Sequence, residues 1–309
     1  MSKAIGTACG KVILFGEHAV VYGRPAIAVP VTQVQATATV EAGNAGVVVR
    51  SQTTGEVVAV EGASSTRPLA AIVQLTLREL QLTGEKLTIS ISSSIPLASG
   101  LGSGAAVSTA IVRALAQWAS VVLPEVTINA LVYEVEKLHH GTPSGVDNTV
   151  IVYQKPVYFV RGEPLETFDV ARSFAVAIGN TGLASPTKIT VGDVRRGWEA
   201  DRARYEAWFD QIGEIVRQAR LAIKAGEIDR VGSLMNENQA VLEQLDVSSA
   251  QLERLILAAR RAGATGAKLA GGGRGGNMIA LVNAENQAAV VAALRDAGAV
   301  SVLVSKVQA

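Results

Sequence analysis

Glycine in this chain is concentrated in segments that lie far apart in sequence. They read A-C-G-K-V-I-L-F-G-E-H-A-V-V-Y-G at residues 8–23, S-I-P-L-A-S-G-L-G-S-G-A-A at 94–106 and K-L-A-G-G-G-R-G-G-N-M-I-A-L at 268–281. A fourth segment, H-G-T-P-S-G-V-D-N-T at 140–149, falls between the last two. Glycine admits left-handed backbone and lets main chain come close to a ligand or a neighbour. One such loop says little. Several in one chain, with a lysine in one, a carboxylate in another and a helix opening behind a third, point to phosphate handling and phosphoryl transfer.

With 309 residues the chain has room for one large domain or two ordinary ones. Its 28 Lys+Arg nearly balance 27 Asp+Glu, so no basic excess argues for nucleic acid. Cys9 is the sole cysteine, which excludes an intrachain disulfide and makes a reduced, cytoplasmic setting the expectation. The first apolar run, Val12–Phe15, is short and followed at once by Gly16, Glu17 and His18, unlike a signal peptide. No run approaches about 18 uninterrupted apolar residues, so no membrane span is expected.

Periodicity divides the chain. Val-, Thr- and Ile-rich stretches at Lys11–Phe15, Ala26–Val29, Gln33–Glu41, Val47–Arg50, Glu56–Val60 and Lys86–Ser92 read as strands. Arg67–Leu82 has helical spacing. An alanine-rich helix is expected from Ser103 to Val121, ended by Pro124, and another from a Thr127 cap to His139. Strands follow at Val157–Val160 and Phe174–Ile178. From Val191 helical spacing dominates: one long helix over Asp193–Gly226, then Ile228–Leu245 and Ser248–Ala262. Strands at Thr265–Leu269, Asn277–Leu281 and Val300–Val304, with a helix at Ala284–Ala297, close the chain. The reading is an α+β protein in two domains, residues 1–175 and 176–309.

Each segment has a chemical reading and a plainer one. In 94–106, Gly100, Gly102 and Gly104 bare the backbone ahead of a helix N-terminus, where free N–H groups favour an anion. The alternative is a glycine turn into a packed helix, with Ser103 as N-cap. It is neither a P-loop, since no lysine follows, nor a dinucleotide fingerprint, since the glycine spacing differs. Lys11 suits a charge neutraliser near a substrate oxygen, and Glu17 and His18 suit substrate contacts; a lysine at a strand edge is more usually a solvated charge or an edge guard. Pro143–Gly145 reads as a tight turn presenting Asp147, a carboxylate able to orient a hydroxyl or merely to brace its own turn. Glu136, on the helix before it, suits magnesium. Three histidines and one cysteine do not make a zinc set. The 268–281 loop suits a ligand or a hairpin tip, and Arg274 is open between a phosphate or carboxylate contact and solvent.

Together the four segments, in this order and at these separations, resemble the GHMP kinase superfamily, and within it the branch that phosphorylates mevalonate. G-K-V-I-L-F-G-E-H-A-V-V-Y-G-R-P-A, P-L-A-S-G-L-G-S-G-A-A, H-G-T-P-S-G-V-D-N and K-L-A-G-G-G-R-G-G carry the likeness from Gly10 to Gly276. The resemblance implies an N-terminal domain related to ribosomal protein S5 and a ferredoxin-like C-terminal domain. It implies Mg2+- and ATP-dependent phosphorylation of the C5 hydroxyl of (R)-mevalonate, with Asp147 and Lys11 catalytic. Glu17, His18 and Thr187 would contact substrate, Thr187 lying in an N-T-x-x-x-x-x-T stretch that starts at Asn180. Pro96, Ala98, Ser99, Gly100, Leu101, Gly102, Ser103, Gly104, Ala105 and Ala106 would cradle ATP, and Glu136 and Ser103 would serve the metal. A homodimer is a further expectation. Other readings are a relative acting on another small hydroxy acid or a sugar, and a catalytically silent ligand-binding relative. Two departures stand out: Gly104 replaces the family's second serine, and Gly272 and Arg274 replace an alanine and a glycine.

Overall fold

The computed structural model describes residues 3–96, 99–140, 143–164, 166–185 and 187–309, without the side chains of His139 and His140. The chain forms two compact units that interleave in sequence. One comprises residues 1–10, 34–97 and 102–154; the other comprises 11–33, 98–101 and 155–309. The sequence suggests a single cut near 175, whereas the chain passes between the units several times.

In the first unit, the second half of β2 (Ala26–Ala42) pairs antiparallel with β5 (Leu87–Ser93), from Ala36 opposite Ser93 to Ala42 opposite Leu87. β3 (Val47–Ser51) lies parallel to β5, and β4 (Val57–Ala59) antiparallel to β3. Four helices pack on one another: α1 (Pro68–Glu79), α2 (Ser103–Trp118), α3 (Glu125–His140) and α4 (Val146–Tyr153). α2 buries Ala105, Ala106, Ala110, Ile111, Ala114 and Leu115, so it is apolar on most faces as its composition requires. β1 (Lys3–Phe15) begins eight residues before the expected strand, because its first half is written in small residues. A Cβ on Gly6 would lie 2.2 Å from the Ala110 carbonyl oxygen and 2.4 Å from the Ala114 nitrogen, so α2 rests directly on this strand. Cys9, on the same strand, is buried.

The second unit holds an antiparallel sheet in the order β11 (Ser301–Val307), β8 (Phe174–Asn180), β10 (Asn277–Val282) and β9 (Gly266–Ala270). β9 and β10 are buried along their whole length, with α7 (Ile228–Gln244) and α8 (Ala250–Arg261) packed against them. β6 (Val157–Phe159) pairs with the first residues of β2 and with β7 (Glu166–Thr167). α9 (Gln287–Asp296) precedes β11.

Several boundaries differ from the sequence reading for identifiable reasons. The long helix expected over Asp193–Gly226 is two helices, α5 (Thr187–Ala200) and α6 (Arg202–Ala225). Asp201 breaks it: its backbone leaves the helical region and its carboxylate accepts the Arg204 amide, an N-cap inside an unbroken hydrophobic period. Thr127 is not a cap, because its amide and that of Ile128 already bond the Pro124 carbonyl. Ser103 is the first residue of α2 rather than its cap; Gly102 takes that place at φ 75°. The segment after Gly145, which the sequence reading left without an element, is α4.

Candidate functional site

Glu17 and His18 follow β1 on a loop that is fastened at both ends within the second unit. At its far end Arg24 donates to Glu206 at 2.5 Å and to Asp210 at 2.8 Å on α6, and Tyr22 stacks on Phe209 with ring centroids 4.2 Å apart. At its near end Glu17 Oε1 accepts from Lys268 Nζ on β9, both side chains essentially without solvent. Lys268 also donates to the Leu269 carbonyl at 2.6 Å. Burial presses the Lys268 pKa below the usual lysine value, while Glu17 pulls it back up. One oxygen of the Glu17 carboxylate is thus held by Lys268, while Oε2 is buried without a hydrogen-bond partner among the described residues.

His18 is buried and sits at φ 62°, ψ −50°, a backbone region disfavoured for a residue with a side chain. Its Nε2 lies 3.2 Å from the Gly272 carbonyl oxygen. A carbonyl only accepts, so Nε2 carries the proton and Nδ1 is left as an acceptor. Nδ1 is buried without a hydrogen-bond partner among the described residues. Burial lowers the His18 pKa to about 4; the Gly272 contact opposes this, and the charges of Arg274 and Lys268 reinforce it. The side chain is a neutral acceptor, suited to a hydroxyl rather than to a carboxylate.

The glycine loop at 271–276 is the hub of this region. Its carbonyls bind side chains: Gly272 takes His18, Gly273 takes Ser185 Oγ at 2.8 Å and Gly276 takes Thr181 Oγ1 at 2.9 Å. Ser185 Oγ is 3.3 Å from Thr187 Oγ1, and a Cβ on Gly272 would come within 2.5 Å of that same oxygen. Thr187 is exposed at the start of α5. Arg274 reaches neither solvent alone nor an open anion site: its guanidinium is bound by Asp193 and Asp246.

Lys11 is buried and its amide donates to the Leu101 carbonyl at 3.0 Å. Asn277, on β10, donates from its amide to the Ser99 carbonyl. Ser99 and Leu101 are buried and Gly100, at φ 76°, is exposed, as is Pro96; Ala98 lies outside the described residues.

In the first unit, Gly145 adopts φ 89° and caps α4, which puts Asp147 in the first turn of that helix. Free backbone N–H groups there favour negative charge. The neighbouring Asn148 is buried and donates to Asn129 Oδ1 at 2.7 Å, tying α4 to α3. Glu136 is buried on α3, and both helices pack on α2. Gly102 opens α2, followed by Ser103 and Gly104 at partial exposure and by buried Ala105 and Ala106. No cluster of three His, Cys, Asp or Glu residues is present among the described residues. One buried carboxylate and one hydroxyl at a helix start fit a hard cation that takes its other ligands from water and phosphate. They do not fit zinc.

Sequence reasoning singled out Lys11, Glu17, His18, Glu136 and Asp147 but gave no role to Lys268. Its signal was present: a lysine inside G-A-K-L-A, a strand otherwise wholly apolar, must be buried and therefore partnered. Ser185 and Asn277 left no comparable mark.

The comparisons with known proteins agree with this picture. The family model for the GHMP kinases N terminal domain matches residues 68–155, and that for GHMP kinases C terminal matches residues 219–300. The chain belongs to the GHMP kinase family, and its two-domain fold is the one found there. Among its relatives, the mevalonate kinase of Thermococcus sibiricus is 33% identical over 97% of this chain and 95% of its own length. The mevalonate kinase of Pyrococcus furiosus is 33% identical over 96% and 94%. The crystal structure of L. major mevalonate kinase in complex with R-mevalonate superposes with a TM-score of 0.85 at 31% identity, covering 100% of this chain and 96% of that one.

Proposed function

We propose that this protein is a mevalonate kinase, transferring the γ-phosphoryl group of ATP to the C5 hydroxyl of (R)-mevalonate. The observation that carries the reading is likeness to curated mevalonate kinases along nearly the whole chain, in a sequence that keeps Lys11, Glu136 and Asp147. In the reaction the hydroxyl oxygen forms a bond to the γ-phosphorus, the bond from that phosphorus to the β–γ bridging oxygen breaks, and ADP leaves. Such transfers depend on positioning and charge stabilisation more than on covalent chemistry.

Asp147 orients the hydroxyl and takes its proton. A carboxylate is a weak base towards an alcohol, so the proton moves late and orientation is the larger contribution. Lys11 offsets charge on the transferring group. Magnesium, when bound, neutralises phosphate charge; Glu136 and Ser103 are the residues that would hold it. Pro96 and Ala98–Ala106 are the phosphate-binding stretch, with backbone amides as donors. His18, as a neutral acceptor at Nδ1, takes a hydrogen bond from a mevalonate hydroxyl, Thr187 closes the same end, and Glu17 fixes the loop on which His18 rides. Within this reading the enzyme works in the cytoplasm as a homodimer, without nucleic acid or membrane. Among the described residues no helix is long and apolar enough to cross a membrane.

The test is ADP release with ATP, magnesium and a panel of mevalonate, phosphomevalonate and galactose. Turnover should be confined to mevalonate; preference for either other acceptor overturns the substrate. Asp147→Ala should reduce kcat by roughly 100-fold to 10,000-fold in a folded protein. A near-parental rate would remove Asp147 from the mechanism.

A further inference from the structure

Arg274 stands where the resembling family has a glycine, and its backbone keeps the left-handed conformation of one, at φ 54°. It is the only non-glycine residue in 271–276. Its amide donates to the Val247 carbonyl at 2.8 Å. Its guanidinium uses all three nitrogens: Nε donates to the Asp246 carbonyl at 3.0 Å, Nη2 to Asp246 Oδ2 at 3.0 Å and Nη1 to Asp193 Oδ2. Asp193 belongs to α5, the helix that Thr187 begins, and Asp246 to the corner between α7 and α8. The loop is thus joined by one planar fork to two separate elements. Two residues before Arg274, Gly272 supplies the carbonyl bound by His18 and lies against Thr187.

We propose that Arg274 is a positioning residue for the acceptor end of the site, its guanidinium clamping the glycine loop to Asp193 and Asp246 so that the Gly272 carbonyl holds the His18 ring and its backbone walls Thr187. The proposal rests on the reading of His18 and Thr187 as substrate-contacting residues. A loop of five glycines and one arginine has little intrinsic stiffness, so its rigidity must come from what grips it. A lysine replaces the grip only in part, because a single ammonium does not reproduce the planar fork. The charge acts as well: Arg274 and Lys268 both oppose protonation of His18, with Glu17 held by Lys268 beneath.

The experiment compares Arg274→Gly, which keeps the backbone conformation without strain, with Arg274→Lys and Asp193→Asn in the full chain, each checked by its urea midpoint. The expected result for Arg274→Gly is a mevalonate KM raised at least about fivefold, with kcat and the ATP KM within twofold of parent. Asp193→Asn should shift the mevalonate KM in the same direction without adding to Arg274→Gly in the double variant, and Arg274→Lys should fall between parent and Arg274→Gly. The acid limb of kcat/KM for mevalonate should move to higher pH in Arg274→Gly and stay in place in Arg274→Lys. An unchanged mevalonate KM in folded Arg274→Gly, or an equal rise in the ATP KM, overturns the proposal. If His18→Gln and Thr187→Ala raise the mevalonate KM while Arg274→Gly does not, the clamp is wrong and the site reading stands. If neither His18→Gln nor Thr187→Ala changes it, the site reading falls and takes the clamp with it.

Discussion

Lys268 and Glu17 form a hydrogen-bonded ion pair between β9 and the loop after β1, with relative exposures of 0% and 1%. Removing one partner leaves the other charge buried alone, which costs about 3–5 kcal/mol, whereas removing both is far milder. Lys268→Met should therefore lower the unfolding free energy by that amount, and the Glu17→Gln, Lys268→Met double variant should recover much of it. Urea unfolding of the four proteins in the cycle reads the coupling. Strict additivity would mean that the two charges do not stabilise one another.

Acidification should weaken the fold through His18. Its pKa is about 4 in the folded protein against 6.5 for an ordinary histidine. Between these values the unfolded chain binds more protons than the native one, so stability falls as pH drops through this window and is flat above it. From pH 7 to pH 5 the loss attributable to His18 is on the order of 2 kcal/mol. His18→Gln should remove that share of the pH dependence. An identical pH slope in the variant would mean that the ring is not kept neutral by burial.

Glu136→Gln should change the metal requirement before anything else. A ligand carboxylate exchanged for an amide weakens magnesium binding by at least about tenfold. The half-saturating magnesium concentration should rise accordingly, with the mevalonate KM unaffected at saturating metal. If the magnesium dependence of turnover stays parental, Glu136 serves the packing of α3 and not the metal.

Gly6→Ala should destabilise the first unit although alanine is the smallest side chain available. The added Cβ meets the backbone of α2 at 2.2 Å and 2.4 Å, and main chain cannot rotate away as a side chain can. A loss of about 1–3 kcal/mol is expected from overpacking. A thermal midpoint equal to that of the parent would show that α2 can lift off β1 freely.

The sequence carried the element order, because long periodic segments such as α1, α2 and α7 declare themselves by the spacing of buried residues. It missed what local chemistry overrides. Asp201 interrupts a continuous apolar period by capping, and α4 opens on the αL cap at Gly145, a helix too short to show a period of its own. The start of β1 was hidden because close helix–strand contact selects Gly6, a residue with a weak strand signal, as is the buried Ala4 before it. In the candidate site, chemical residue types were legible and their partners were not. Nothing in G-G-G-R-G-G says that the arginine turns to Asp193 and Asp246, since those acids lie 81 and 28 residues away.

The burial of Cys9 has a practical consequence for spectroscopy. It is the chain's sole cysteine, and its burial keeps it from reagents. A second thiol introduced at Val122, which is 95% exposed in the segment before α3, would be the reactive one. Site-specific attachment of a fluorophore or spin label is therefore open without first removing the natural cysteine.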